Sequence, residues 1–333
     1  MNLDTVTAIY AGNMRIGYGI IIAVLSFASS WFMSCCLAGA GKAENSQRMR
    51  RIVSLLTYAV SAVPLAAFFG RLIHWYSHYE TYESFAGAFV NAEGQYHEAG
   101  MVLGFVIAAG AAALISGKDL RKKMMSAYAS GQMLFMTLVS LVSMYSDSDR
   151  GKAVITEGFY QRLPYSYITY MSDGSTQFRT AVFFWKFMIL GIVTIVSVIL
   201  YFRRRSAVET YVCYFAAMAL LDSARYDASF LRSNGFVSLM QIVSGVFLII
   251  TLTVFIVRSA KARGFHAYHV LFMLAFLAGL SLTGYMEYYV QRHGNLYIYC
   301  YSIMAAACMI MIVSVFAVHR RTGKKSLEGE TDK

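Results

Sequence analysis

Apolar residues along this chain fall in long blocks separated by short polar connectors. That pattern is neither the one-sided stripe of a soluble amphipathic helix nor the strict alternation of a half-buried strand. A window of about 20 residues, the helix length needed to cross a hydrocarbon layer, picks out nine blocks, near 16–39, 52–76, 99–117, 124–146, 181–202, 207–224, 236–257, 267–290 and 296–318. The pattern predicts an all-α, polytopic transmembrane bundle of about nine spans. The sixth block is the least apolar, since it contains Glu209 and Asp222. Composition agrees with the pattern: 58% of the 333 residues are hydrophobic, 14% are charged and two are proline. A soluble domain of this length would carry roughly 25% charge, so an ordinary soluble enzyme is excluded.

The net charge of +11 changes the picture only through its distribution. Basic residues cluster as Lys42, Arg48, Arg50 and Arg51, then Lys118, Arg121, Lys122 and Lys123, then Arg203, Arg204 and Arg205, then Arg258, Lys261 and Arg263, and finally Arg320, Arg321, Lys324 and Lys325. Each cluster follows an odd-numbered span, which by the positive-inside rule predicts a cytoplasmic C-terminus and an N-terminus outside. The sixth block is needed to keep that alternation. Clusters between apolar runs orient a chain and do not form the continuous stripe of a nucleic-acid binder, so no nucleic-acid partner is expected. The intervening segments hold Glu80, Glu83, Glu93 and Glu98, then Asp147, Asp149, Glu157 and Asp173, and are expected outside. Two of them, 77–98 and 147–180, are long enough for structure of their own and are expected to cap an outward-facing cavity. The segment 320–333 reads as a disordered cytoplasmic tail.

Cys35, Cys36, Cys213, Cys300 and Cys308 all lie in apolar runs without metal-site spacing, so neither a disulfide framework nor a structural zinc is implied. With Asp4 ahead of Arg15, the first block reads as a retained span and not as a cleaved leader. No internal repeat supports an inverted-repeat transporter. Ionisable groups at membrane depth cost about 2.5 to 3.5 kcal/mol on insertion scales and so call for a reason. Arg71, Lys186, Asp222, Arg225 and Glu287 are such groups. For Arg71 and Glu287 the plain alternative is snorkelling to the interface. Asp222 and Arg225, spaced i, i+3, can pair on one helix face, and Tyr214 returns to nearly the same face. A guanidinium held by a carboxylate suits a phosphate, because its planar fork makes two charge-assisted hydrogen bonds; a purely structural ion pair is the alternative. His74 and His78 are one turn apart, but without a third ligand they make a weak metal signal, and no metal is expected. His97, near the outer end of its span, is placed to act as a general base.

Several short stretches, in order, resemble the bacterial prolipoprotein diacylglyceryl transferases. Phe236 to Ser244, with Ser238, Gln241 and Ser244, is similar to that family's Ser-x-Gly-Gln-x-x-Ser signature. Asp222-Ser223-Ala224-Arg225 looks like its Glu-Phe-x-Arg, with Tyr214 matching a tyrosine eight residues before the acid. Phe69-Gly70-Arg71-Leu72 resembles its Gly-Gly-Arg, and Tyr96-His97-Glu98-Ala99-Gly100 its Phe-His-Gly-Gly. The resemblance covers residues 10 to 260. It departs at Ser140–Tyr145, where the family's fourth-helix arginine has no counterpart, at Lys186, which replaces a glutamate, and at Met218, which replaces an arginine.

The resemblance implies a seven-helix domain over 1–260, two additional helices over 261–319, and residence in the bacterial cytoplasmic membrane. It implies transfer of a diacylglyceryl group from phosphatidylglycerol to the lipobox cysteine of a prolipoprotein, or a closely related phospholipid-processing reaction. Phosphatidylglycerol, the prolipoprotein signal peptide and the bilayer would be its partners, and no cofactor would be needed. His97 would then be the base, Tyr214 would line the site, and Asp222 would orient Arg225. Arg71 and Arg225 would hold the phosphate, with Lys186 and Gln241 also on the substrate. The alternative reading is a non-catalytic lipid- or lipoprotein-binding relative; a transporter or metal-binding membrane protein is the third.

Overall fold

The computed structural model of the chain describes residues 8–11, 14–40, 45–82, 84–90, 95–146, 148–171, 173–230 and 235–323. The expected tail beyond 323 lies outside the described residues, as do Asp4, Lys42, Glu83, Glu93 and Asp147. The principal helices are α1 (Tyr18–Gly39), α2 (Asn45–Ser77), α3 (Phe85–Val90), α4 (Glu98–Ile115), α5 (Lys118–Val139), α6 (Val182–Arg204), α7 (Ala207–Ser223), α8 (Leu239–Arg263), α9 (Ala267–His293) and α10 (Tyr297–Gly323). Two antiparallel hairpins accompany them, β1 (Ala8–Ala11) with β2 (Met14–Gly17) and β3 (Ser166–Tyr170) with β4 (Thr176–Thr180).

Among the described residues eight helices are long and apolar enough to cross a membrane: α1, α2, α4, α5 with its 3₁₀ continuation to Met144, α6, α8, α9 and α10. The chain is a multi-pass membrane protein with an all-α bundle. Its α7 corresponds to the sixth block but has only 17 residues, about 26 Å of helix against a hydrocarbon layer of about 30 Å. Helix α2 starts at Asn45, seven residues before the expected 52, because Asn45–Arg51 is polar yet helical, and a hydropathy window registers only the apolar part.

By packing, the chain divides into two units. The first runs to Tyr211 and includes Arg225–Asp227; the second holds Val212–Ala224 and everything from Ala228 onward. The expected boundary near 260 falls inside α8, which groups with α9 and α10.

In the first unit small residues set the helix spacing, as they do where lipid tails remove any hydrophobic drive for helices to associate. Gly100 and Gly104 lie against the α2 backbone, where an added Cβ would meet Phe69 O at 2.1 Å and Leu65 O at 2.3 Å. Ala108 and Ala112 continue that stripe and are buried. Helix α1 meets α5 through Ser26, Ser30 and Ser34, one turn apart and buried, with Gly131 opposite them. Part of the expected cap, 147–180, is folded. Its β3–β4 hairpin pairs Ser166 with Thr180 and Tyr170 with Thr176. Arg150 tightens the start of the segment, its guanidinium donating to Ser143 O at 2.8 Å and Ser146 O at 2.9 Å.

In the second unit α8 begins with a capping box: Ser238 Oγ accepts from Gln241 N at 3.2 Å, while Ser238 N donates to Gln241 Oε1 at 2.8 Å. Helices α9 and α10 approach closely at Gly279, beside Ala307 O.

Candidate functional site

One group of buried charges in the first unit lies around the N-terminal end of α4. Glu98 is the first residue of that helix, where a carboxylate is favoured by the helix dipole. Lys186, on the first turns of α6, donates to Glu98 Oε1 and lies 3.4 Å from Asp149 Oδ2. Arg225 Nε stands 2.8 Å from Asp149 Oδ1, an ion-pair contact whose angle falls outside hydrogen-bond geometry, and Nη1 lies 3.9 Å from Glu98 Oε1. The same guanidinium grips Asp227 in two-pronged fashion, Nε to Oδ1 at 3.2 Å and Nη2 to Oδ2 at 3.0 Å.

Asp149 is the hub of this cluster. It is 1% exposed, its backbone is left-handed with φ 56°, and its carboxylate also accepts from Ser143 Oγ at 2.8 Å. Its own N–H donates to Asp227 at 3.1 Å, and its carbonyl accepts from Phe183 N at 3.2 Å. Burial alone would raise its pKa, but Arg225 first and Lys186 second outweigh that and hold the carboxyl well below the usual range. Asp149 therefore stays ionised.

Two other expected residues adjoin the cluster through the loop before α4. His97 caps α4: its Nδ1 accepts from Ala99 N at 3.3 Å, and its own N–H donates to Gly70 O at 3.0 Å. Since Nδ1 accepts, the proton of the neutral ring resides on Nε2. Burial, the largest cause, pushes the His97 pKa down to about 3, so the ring is neutral at pH 7.

Arg71, next to Gly70 on α2, is 4% exposed, and its Nε, Nη1 and Nη2 are buried with no hydrogen-bond partner among the described residues. Its guanidinium stacks 4.4 Å from the centre of the Tyr96 ring. That stacking is worth about 0.5 to 2 kcal/mol, whereas an ion's burial costs several. The ring does not balance the charge. Tyr96 also forms one wall of an apolar cleft of about 270 Å³, lined by Ile20, Phe27, Ala67, Met101 and Phe135 among others, so the guanidinium and the cleft share a side chain.

No known protein family, curated protein or solved structure matches this chain.

Among the sequence-derived candidates, Arg71, His97, Lys186 and Arg225 thus belong to the first unit and lie around one helix end, while Tyr214, Asp222 and Gln241 belong to the second. There Ser238 Oγ donates to Asp222 Oδ2. Gln241 Nε2 donates to Ala219 O at 3.2 Å and to Glu287 Oε2 at 2.9 Å. Tyr214 is fully buried with its ring against Phe215. Gln241 and Glu287 also line a cavity of about 400 Å³ between α8 and α9. Among the described residues no group of three or more His, Cys, Asp or Glu side chains could hold a metal; His74 stacks on His78 and its Nδ1 shares a hydrogen bond with Tyr82 at 2.8 Å.

Sequence reasoning missed Asp149 and Asp227 as the partners of Arg225, and Glu98 as the partner of Lys186. The run Ser148-Asp149-Arg150 reads as solvated loop charge, and only the left-handed turn at Asp149 carries its carboxylate inward.

Proposed function

We propose that the chain handles an anionic phospholipid, with Arg71 holding the phosphate and the adjoining cleft taking acyl chain. The observation that supports this reading is the buried Arg71 guanidinium, with three nitrogens lacking acceptors and an apolar cleft behind its stacking partner. Five N–H donors in a rigid fork suit the oxygens of a phosphate diester. Lys186 and Arg225 are less available, because three carboxylates already share them. In this reading the protein is a lipid-binding relative of the transferases it resembles.

A second reading, diacylglyceryl transfer to a cysteine, is favoured by one further observation: Glu98 Oε2 is buried and accepts no hydrogen bond from the described residues. In that reaction a C–S bond forms as the glycerol C–O bond to phosphate breaks, glycerol phosphate departs, and the thiol proton needs an acceptor. With His97 Nδ1 engaged as a cap, Glu98 Oε2 is the acceptor left open. Substitution Arg71→Gln separates the readings from a purely structural arginine. A drop in the number of phosphatidylglycerol molecules retained by native mass spectrometry, with unfolding behaviour intact, is expected. Unchanged retention refutes both. Restoration of prolipoprotein conversion in a transferase-depleted strain by the intact chain, and not by Glu98→Gln, selects the second reading.

The same proposal includes nine spans in a bacterial cytoplasmic membrane, N-terminus outside, with α7 as a short sixth span. The alternating basic clusters support it. Reporter fusions placed after α6 and after α7 should report opposite sides.

A further inference from the structure

A second concentration of buried positive charge lies in the first unit, at the C-terminal end of α1, far along the helices from Arg71. The last turn of that helix offers carbonyls to donors from three other helices. Arg51 of α2 donates from Nη1 to Ala38 O at 3.3 Å, Lys123 of α5 donates to Ala40 O, and Tyr201 of α6 donates to Leu37 O. Arg51 and Lys123 are 8% and 6% exposed. Arg205, exposed and left-handed at φ 52° just after α6, is close enough to Lys123 and Tyr201 to act on both electrostatically.

The plain account is helix capping, and it explains only part of this. A helix C-terminus carries about half a negative charge, while Arg51 and Lys123 alone bring two full positive ones. Two described carboxylates at this end pair with other cations: Asp119 with Arg50 at 3.4 Å, and Glu209 with Arg204 at 3.1 Å. Among the described residues no acid lies within ion-pair distance of Arg51, Lys123 or Arg205. Moreover Arg51 is more than nine-tenths buried, and its Nε has no hydrogen-bond partner among the described residues.

We infer that Arg51, Lys123 and Arg205 form a site for a net-negative phosphate group at this end of the bundle, independent of Arg71. A cluster of basic side chains at one end of membrane-spanning helices suits an anionic lipid headgroup, and free inorganic phosphate offers the same chemistry. The surplus charge of the three cations is what the phosphate oxygens meet.

The test measures ligand retention by native mass spectrometry and thermal shift on the detergent-solubilised full chain, with phosphatidylglycerol, phosphatidylcholine and inorganic phosphate as probes. Each is applied to the wild type, Arg51→Gln and Arg205→Gln, and again in an Arg71→Gln background so that the two sites are read separately. Removing one cation is expected to weaken phosphatidylglycerol binding about fivefold in both backgrounds, with little effect on phosphatidylcholine. If inorganic phosphate alone gives the same Arg205-dependent stabilisation and phosphatidylglycerol adds none, the site stands with free phosphate as its ligand. Should Arg51→Gln fail to fold, the exposed Arg205 decides. Equal binding of every probe by wild type and Arg205→Gln overturns the site and leaves capping as the whole explanation.

Discussion

Removing Lys186 tests whether the buried cluster is held by its charges. In Lys186→Met the stem volume is nearly kept while the ammonium is lost. Glu98 is then left with Arg225 Nη1 at 3.9 Å as its nearest cation, and Asp149 keeps Arg225 and Ser143. Breaking a buried pair by deleting one partner costs about 3 to 5 kcal/mol, because the remaining charge stays desolvated. Glu98→Gln in the same chain removes that stranded charge, so the double variant should recover much of the loss, with a coupling of about 2 kcal/mol. The assay is reversible unfolding of the four chains of the cycle in mixed micelles at rising denaturing-detergent fraction. A coupling below about 0.5 kcal/mol would mean that the two side chains merely lie side by side, and the account of the cluster would be wrong.

Two other perturbations read different parts of the first unit. His97 has a folded pKa of about 3 against about 6.5 unfolded, so the unfolded chain binds more protons between those values and stability falls as pH drops from about 6.5 toward 3. His97→Asn keeps an N-cap and should flatten the slope between about pH 6.5 and 4 without loss at pH 7; below about 3.9 the loss should persist, because Asp149 is then protonated in the unfolded chain while the folded state still holds it ionised. A slope unchanged in His97→Asn by pH-dependent unfolding assigns it to another group. Gly104→Ala places a methyl 2.3 Å from Leu65 O, so α2 and α4 must separate. A drop of about 1 to 3 kcal/mol is expected, and full stability would mean that the small-residue stripe does not set the spacing.

The eight described helices long and apolar enough to cross a membrane are legible from hydropathy because a lipid-facing helix must be apolar nearly all round, and such runs stand out against polar connectors. Helix α7 stands apart for a physical reason: it is buried along most of its length, holds Glu209 and Asp222, and is shorter than the others. The individual candidates Arg71, His97, Lys186 and Arg225 could be singled out because each is an ionisable group near membrane depth. Their partners could not be. Asp149 and Asp227 lie in connectors, where charge is the default and carries no signal, and it takes the left-handed turn at 149 and the strand-like bridge between Gly151 and Arg225 to bring them inward. Long-range pairing of this kind has no sequence period to reveal it.

The partners also decide which cation an anionic ligand can use. Lys186 and Arg225 supply two positive charges, and Glu98, Asp149 and Asp227 supply three negative ones. Adding Arg150, which donates to the carbonyls of Ser143 and Ser146, brings the sum only to zero. A phosphate approaching this cluster would meet no net attraction and would have to displace a carboxylate to gain a hydrogen bond. At Arg71 the balance is reversed: the charge is buried, its only described partner is an aromatic face, and every hydrogen bond a phosphate makes there replaces nothing. Lys186 is therefore better understood as the counter-charge to Glu98 and Asp149 than as a phosphate ligand. It follows that Arg71→Gln should remove the share of phospholipid retention that depends on the cleft while sparing the fold, and Lys186→Met should damage the fold first and retention only with it.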